Sequence, residues 1–198
     1  MSESIEELRT NRHNNKQICN KIICNKHNII LSTTDKKNEY LLTFKIHNPR
    51  IYIGNFIGWK IYDLIYTLNR DILEDMKITI KENNIRTYSY LFKRFGAELG
   101  ILQRCLTLDM TSASSGEHNI QYISKPSNDK VVLFSRSEPV ISNFATFDIN
   151  IVDDHTMDVK YLYHIDLDEQ LPKSMENIAG ILIKKLFWRF KTFIENIE

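Results

Sequence analysis

The sequence predicts an α+β fold, a curved antiparallel sheet gripping one long C-terminal helix. Three observations carry this. First, apolar and polar residues alternate with period two through stretches of the second half, as in Leu102–Met110 and Val159–Leu167, the pattern of a half-buried strand. Second, the spacers are short and turn-forming: Pro126-Ser127-Asn128-Asp129, Glu138-Pro139 and Asp153-Asp154-His155. Such spacers join antiparallel neighbours, whereas parallel strands need long crossovers. Third, from Met175 to Ile197 the apolar period changes to three or four, which marks an amphipathic helix.

In chain order, residues 1–27 read as a basic, partly flexible N-terminal arm, with Arg9, Arg12, Lys16, Lys21 and Lys26 set among asparagines and few large apolar residues. Residues 28–198 read as a single α+β domain. Ile29-Ile30-Leu31 and Tyr40–Ile46 are strand candidates around a turn at Asp35-Lys36-Lys37-Asn38, and Arg50–Ile53 continues this strand-rich opening. Phe56–Leu68 carries Ile57, Ile61, Leu64, Ile65 and Leu68 at helical spacing. Met76–Ile80 alternates like a short strand. Ile85–Leu99 could be helical, with Tyr88, Leu91, Phe92 and Phe95 on one side, but Gly96 and Gly100 weigh against a helix, and period two against helix stays open over Asp71–Leu99.

Leu102–Met110 is then a strand and Ser112–Gly116 a turn. Ile120–Ile123, Val131–Phe134, Phe144–Val152 and Val159–Leu167 are further strands. Alternation puts Val159, Tyr161, Tyr163, Ile165 and Leu167 on one face, with Asp158, Lys160, His164 and Asp166 on the other. Ala145, Phe147, Ile149 and Ile151 share the apolar face of the preceding strand. Pro172 ends the strand run, Ser174 offers a cap, and the final helix places Met175, Ile178, Ala179, Leu182, Leu186, Phe190, Phe193 and Ile197 on its stripe. That stripe and the apolar sheet face bury one another.

The chain has 198 residues, a formal charge of +1, 42% hydrophobic and 26% charged residues. These are values of an ordinary globular protein, and the charge argues against a nucleic-acid partner. The start is acidic and lacks an apolar core, so it does not read as a secretory signal. No run is long and apolar enough to span a membrane. Three cysteines are too few for a disulfide scaffold. A reducing compartment, hence a cytoplasmic location, is the expectation.

Three segments in order resemble the START lipid-transfer family. They are Val131-Val132-Leu133-Phe134-Ser135-Arg136-Ser137, Tyr161-Leu162-Tyr163-His164-Ile165-Asp166-Leu167 and Leu171-Pro172-Lys173-Ser174-Met175-Glu176-Asn177. In that family a strand ending in Ser-Arg-Ser precedes a strand ending in His-x-Asp, and a Leu/Ile-Pro-Lys turn opens the terminal helix. The resemblance covers residues 100–198. It implies a helix-grip, START-like fold with a cavity between sheet and terminal helix, and a non-enzymatic module sheltering an apolar ligand, a lipid. The residues alone leave an alternative open: a protein-interaction module of the same fold with a filled core.

Candidate site residues follow from the apolar face and the stripe. The resemblance implies that Phe147, Ile149, Tyr161, Tyr163, Leu182 and Leu186 line the ligand pocket, while the residues alone leave each tyrosine hydroxyl to meet either a ligand head group or a backbone carbonyl. Lys184, Lys185, Trp188 and Lys191 could touch an anionic membrane transiently, or form a solvated helix face. His13, Cys19, Cys24 and His27 approach the spacing of a zinc knuckle, but the arm has no turn glycines and no metal is expected. His164 and Asp166 are two apart on one face, yet no nucleophile motif accompanies them. No catalytic residue and no cofactor is expected.

Overall fold

The computed structural model describes residues 21–82, 84–94, 102–114, 118–127, 137–166 and 177–198. Outside them lie the arm through Asn20, the expected strand Val131–Phe134 with Ser135 and Arg136, and the Leu171–Glu176 turn with its Ser174 cap.

The described elements are β1 (Lys21–Lys26), β2 (Ile29–Thr33), β3 (Glu39–His47), a 3-10 turn at Ile53–Phe56 and α1 (Lys60–Leu68). They continue with β4 (Leu73–Glu82), β5 (Ile85–Phe92), β6 (Arg104–Ser114), β7 (Asn119–Pro126), β8 (Glu138–Pro139), β9 (Ala145–Asp153), β10 (Thr156–His164) and α2 (Ile178–Asn196). They form one 10-stranded sheet in the order β1-β2-β3-β10-β9-β7-β6-β5-β4, with β8 beside β6. Every pair on this path is antiparallel; β8 joins β6 in parallel through two residues. The chain leaves β3, crosses by α1 to the far edge at β4, and returns strand by strand until β10 meets β3. Residues 21–47 and 145–164 are thereby zipped together at the centre.

Side-chain alternation gives the sheet two unlike faces. Tyr40, Leu42, Phe44, Tyr88, Leu108, Tyr122, Phe147, Ile149, Val159 and Tyr163 form the buried inner face. The outer face is polar and paired across strands. Lys45 meets Asp158 at 3.5 Å, Gln121 donates to Asp148 at 2.6 Å, and Lys81 and Thr87 both donate to Asp109.

Helix α2 lies against the inner face on the β2–β3 side and against α1. Its Phe187 ring packs on Phe44, Phe147 and Tyr161 at 5.9, 5.3 and 4.8 Å. The expected packing of the terminal helix on this face is therefore observed. Its stripe is rotated, however: Ala179, Ile183, Leu186, Phe187, Phe190 and Ile194 are the buried apolar residues, while Leu182 and Phe193 are half-buried.

Other expectations are corrected. Ile85–Phe92 is a strand, not a helix. Tyr88 and Phe92 fit a helical spacing, but Arg86, Tyr88, Tyr90 and Phe92 also alternate, and Thr, Tyr and Phe favour a pleated surface. Arg50–Ile53 forms no strand, because the Asn48 side-chain oxygen accepts the Arg50 N–H at 2.9 Å and turns the chain. The helix expected from Phe56 starts at Lys60, after Gly58 takes φ +113°, a conformation glycine alone adopts readily. Ser112–Ser114 continue β6. Lys21–Lys26, assigned to the arm, form edge strand β1 on β2.

The β1 hairpin also reassigns the basic face of the last helix. Lys184 is buried and donates to the Lys26 carbonyl at 3.1 Å, and Trp188 stacks on His27 at 5.0 Å. Lys191 is buried and pairs with Glu195, while Lys185 is exposed and meets Asp71 at 3.4 Å. Lys184, Lys185, Trp188 and Lys191 thus do not share a free outward face.

Candidate functional site

The inner face is built from aromatic rings brought together by five strands and two helices. Trp59, at the N-cap of α1, and Tyr62 within it lean onto the sheet. Trp59 lies 6.1 Å from Tyr88 and 5.4 Å from Tyr122, and Tyr62 lies 5.1, 5.3 and 6.2 Å from Tyr88, Tyr122 and Phe147. Contact continues from Phe147 to Tyr161 at 5.7 Å, from Tyr161 to Tyr163 at 4.8 Å, and from Tyr163 to Tyr40 at 5.5 Å. The edge-on and offset geometries are those that favour ring pairs.

Of the six residues expected to line a pocket, Phe147, Ile149, Tyr163 and Leu186 are buried, and Tyr161 and Leu182 are half-buried. Phe147, Tyr161 and Tyr163 share one cluster. Tyr163 is not a spare polar group, since its hydroxyl donates to the Gly180 carbonyl at 3.3 Å. Met76, Tyr90 and Leu106 continue the inner face toward the β4 edge, and like Tyr161 they keep part of their accessible surface while packing on the core. The face is therefore not sealed over its whole extent.

One corner carries polar atoms with nothing to bond. The Tyr88 and Tyr122 hydroxyls and the Arg86 Nε are buried without a hydrogen-bond partner. Arg86 lies over the Trp59 ring, 4.8 Å from its centroid, a cation–π arrangement. Arg86 is near enough to Tyr88, and the Gly58 backbone near enough to Tyr122, to hold each phenol below where burial alone would put it. Neither pair reaches hydrogen-bond geometry. Burial still dominates, pushing Tyr88 up to about 12 and raising Tyr122, Tyr62, Tyr90, Tyr161 and Tyr163. These phenols stay protonated at neutral pH, each with one hydrogen to donate and an oxygen that can accept.

Sequence reading missed Trp59, Tyr62, Arg86, Tyr88 and Tyr122. The period-two run Arg86-Tyr88-Tyr90-Phe92 was the available signal, masked by the helical spacing of Tyr88 and Phe92. The other candidates dissolve into structure. His164 Nδ1 accepts the Asn143 N–H at 3.3 Å. Of the knuckle residues, Cys24 is on β1 and His27 stacks on Trp188, while His13 and Cys19 lie outside the described residues.

A groove of about 1960 Å³ runs along the outer face, lined by Lys45, Asp109, Gln121, Asp148, Asp158 and Lys160 among others. Size alone does not favour it. Lys45 and Asp158 pair there, Gln121 bonds Asp148, and Asp109 accepts from Lys81 and Thr87, whereas the Tyr88 and Tyr122 hydroxyls at the Trp59 corner have no such partner.

No protein-family model and no curated protein matches the chain. Solved structures do. The lipid transfer and protein localization domain of human StarD13 (DLC2) superposes with a TM-score of 0.72 at 10% identity, covering 100% of both chains. Human StAR-related lipid transfer protein 5 gives 0.71 at 11% identity over 96% of this chain and 90% of that one. A STAR-related lipid transfer protein from Xanthomonas axonopodis gives 0.62 at 9%, over 88% and 98%. The fold is the START-type helix grip, and it spans both halves of the described chain.

Proposed function

We propose that this protein is a non-catalytic binding module holding an apolar ligand, a lipid, between the inner sheet face and the two helices. The observation that supports it is an unsealed aromatic face: Met76, Tyr90, Leu106 and Tyr161 keep accessible surface on the core side of the sheet. Small-molecule sites are mostly apolar with a few placed polar groups. The fold is shared with domains named for lipid transfer. Phe147, Ile149, Tyr161, Leu182 and Leu186 are proposed to line the ligand, and Tyr163 to brace α2 through Gly180.

Native mass spectrometry of the purified protein tests this. The expected result is an adduct in the mass range of a lipid that leaves on collisional activation, together with saturable binding of a fluorescent fatty acid. A clean apo mass with no saturable binding would overturn it, leaving a protein-interaction module with a filled core.

A further inference from the structure

We propose that the outer edge of β4 pairs antiparallel with the same edge of a second copy of this chain, about a twofold axis at Ile78. The two sheets then run on as one. This surface does not depend on any ligand.

Strand β4 ends the sheet path, and among the described residues it pairs only with β5. Its other edge is therefore a row of backbone donors and acceptors able to accept a strand. Edge strands commonly prevent this by being very short, by bulging, or by pointing charges into the apolar side. β4 has 10 residues. Its irregularities against β5 lie near its ends, at Leu73/Asp75 and Ile80/Glu82, and leave Asp75–Ile80 regular between them. On the inner side that regular stretch carries no charge. Met76, Ile78 and Ile80 sit there, opposite Tyr90, Tyr88 and Arg86. Ile78 is 39% and Ile80 66% exposed, an apolar margin with no cover from β5.

The charges are on the outer side and their order is self-complementary. Asp75, Lys77 and Thr79 lie opposite Leu91, Ser89 and Thr87. Lys81 shares that side, since its ammonium reaches Asp109 at 2.9 Å. An antiparallel pair centred on Ile78 sets Asp75 of each copy opposite Lys81 of the other, Lys77 opposite Thr79 and Met76 opposite Ile80. Opposite charges thus meet on one side and apolar side chains on the other, both favourable cross-strand pairings. The arrangement is isologous, so it closes at two copies and does not propagate. The far edge lacks this order. Pairing all 6 residues of β1 with a copy of itself sets Lys21 against Lys26, a repulsive match.

Sedimentation velocity of the full chain over a range of loading concentrations tests this. One added strand pair is a small interface, under about 1,200 Å², so a dissociation constant of about 1–100 μM is expected. The mass should rise with loading from 23.4 kDa toward twice that value. Ile78→Lys places two cations on the axis and should weaken the dimer at least about tenfold. Asp75→Lys alone and Lys81→Asp alone should each be monomeric, because like charges then face one another at both pairs. Mixed in equal amounts, these two variants should associate, since every facing pair is again of opposite sign. They also keep the test alive if Ile78→Lys does not fold. A chain that stays monomeric at about 100 μM, the weak end of the expected range, overturns the proposal. So does a dimer that survives Ile78→Lys and both charge changes, or a mixture no more associated than its components.

Discussion

At residue scale, Gly180 shows how closely α2 approaches the sheet. A glycine inside a helix costs about 1 kcal/mol relative to alanine. Here a Cβ would come within 2.8 Å of the Tyr40 ring. That ring cannot simply swing aside, because it stacks on Tyr163, whose hydroxyl is bonded to the Gly180 carbonyl. Overpacking a tight contact costs about 1–3 kcal/mol, which outweighs the propensity gained. Gly180→Ala should therefore lower the melting temperature by a few degrees. Calorimetry showing an increase would mean that the helix does not approach Tyr40 this closely. Nothing in the sequence flags this position, since glycine reads there only as a weak helix former. The orphan hydroxyls of Tyr88 and Tyr122 were hidden for a related reason. Partnership is a property of three-dimensional neighbours, and a tyrosine in a strand pattern predicts burial of its ring alone.

At element scale, the period-two strands and the terminal helix were legible because each buries one face. Alternation in β9 and β10 assigned Phe147, Ile149, Tyr161 and Tyr163 to the helix side. The helix stripe was legible in kind but not in phase. Leu182 and Phe193 are as apolar as Ile183 and Phe187, and only the sheet decides which set it covers. How the element ends was not legible at all. Asn48, fully buried after β3, donates to the Ile194 and Ile197 carbonyls at 2.8 and 2.9 Å, closing the C-terminus of α2. Helix ends leave carbonyls that need such partners. Asn48→Leu should cost about 1–3 kcal/mol, since it strands two carbonyls and removes the turn acceptor for Arg50. Arg50→Ala should cost about 0–1 kcal/mol, because its pair with Glu198 is exposed. Urea denaturation of both variants ranks them by midpoint, and a larger shift for Arg50→Ala would contradict the capping role.

At the scale of the whole molecule, the sheet order explains why the second half looked familiar and the first half did not. β3 and β10 meet at the centre, so residues 145–164 complete a surface that residues 39–47 begin. Of the segments behind the resemblance, Tyr161–His164 lies in the returning strand β10. The Trp59 corner is assembled from the start of α1, from β5 and from β7, which are separated in sequence and not adjacent in the sheet, and so it leaves no contiguous signature. Helix α2 closes this arrangement. It buries Ile183, Leu186, Phe187, Phe190 and Ile194, five large side chains at 8% exposure or less. At about 1.5–3 kcal/mol for each, their burial is worth roughly 8–15 kcal/mol, comparable to the whole stability of a typical domain, about 5–15 kcal/mol. Deletion of residues 177–198 should therefore abolish cooperative unfolding, not merely weaken it. The smaller change Phe190→Ala, at a site with no accessible surface, should cost about 3–5 kcal/mol and leave a folded protein with a lower melting temperature. Circular dichroism on heating distinguishes the cases. A sharp transition in the deletion variant would mean that the strands make a stable core without the helix, and the grip would then be a docked lid instead of half of the hydrophobic core.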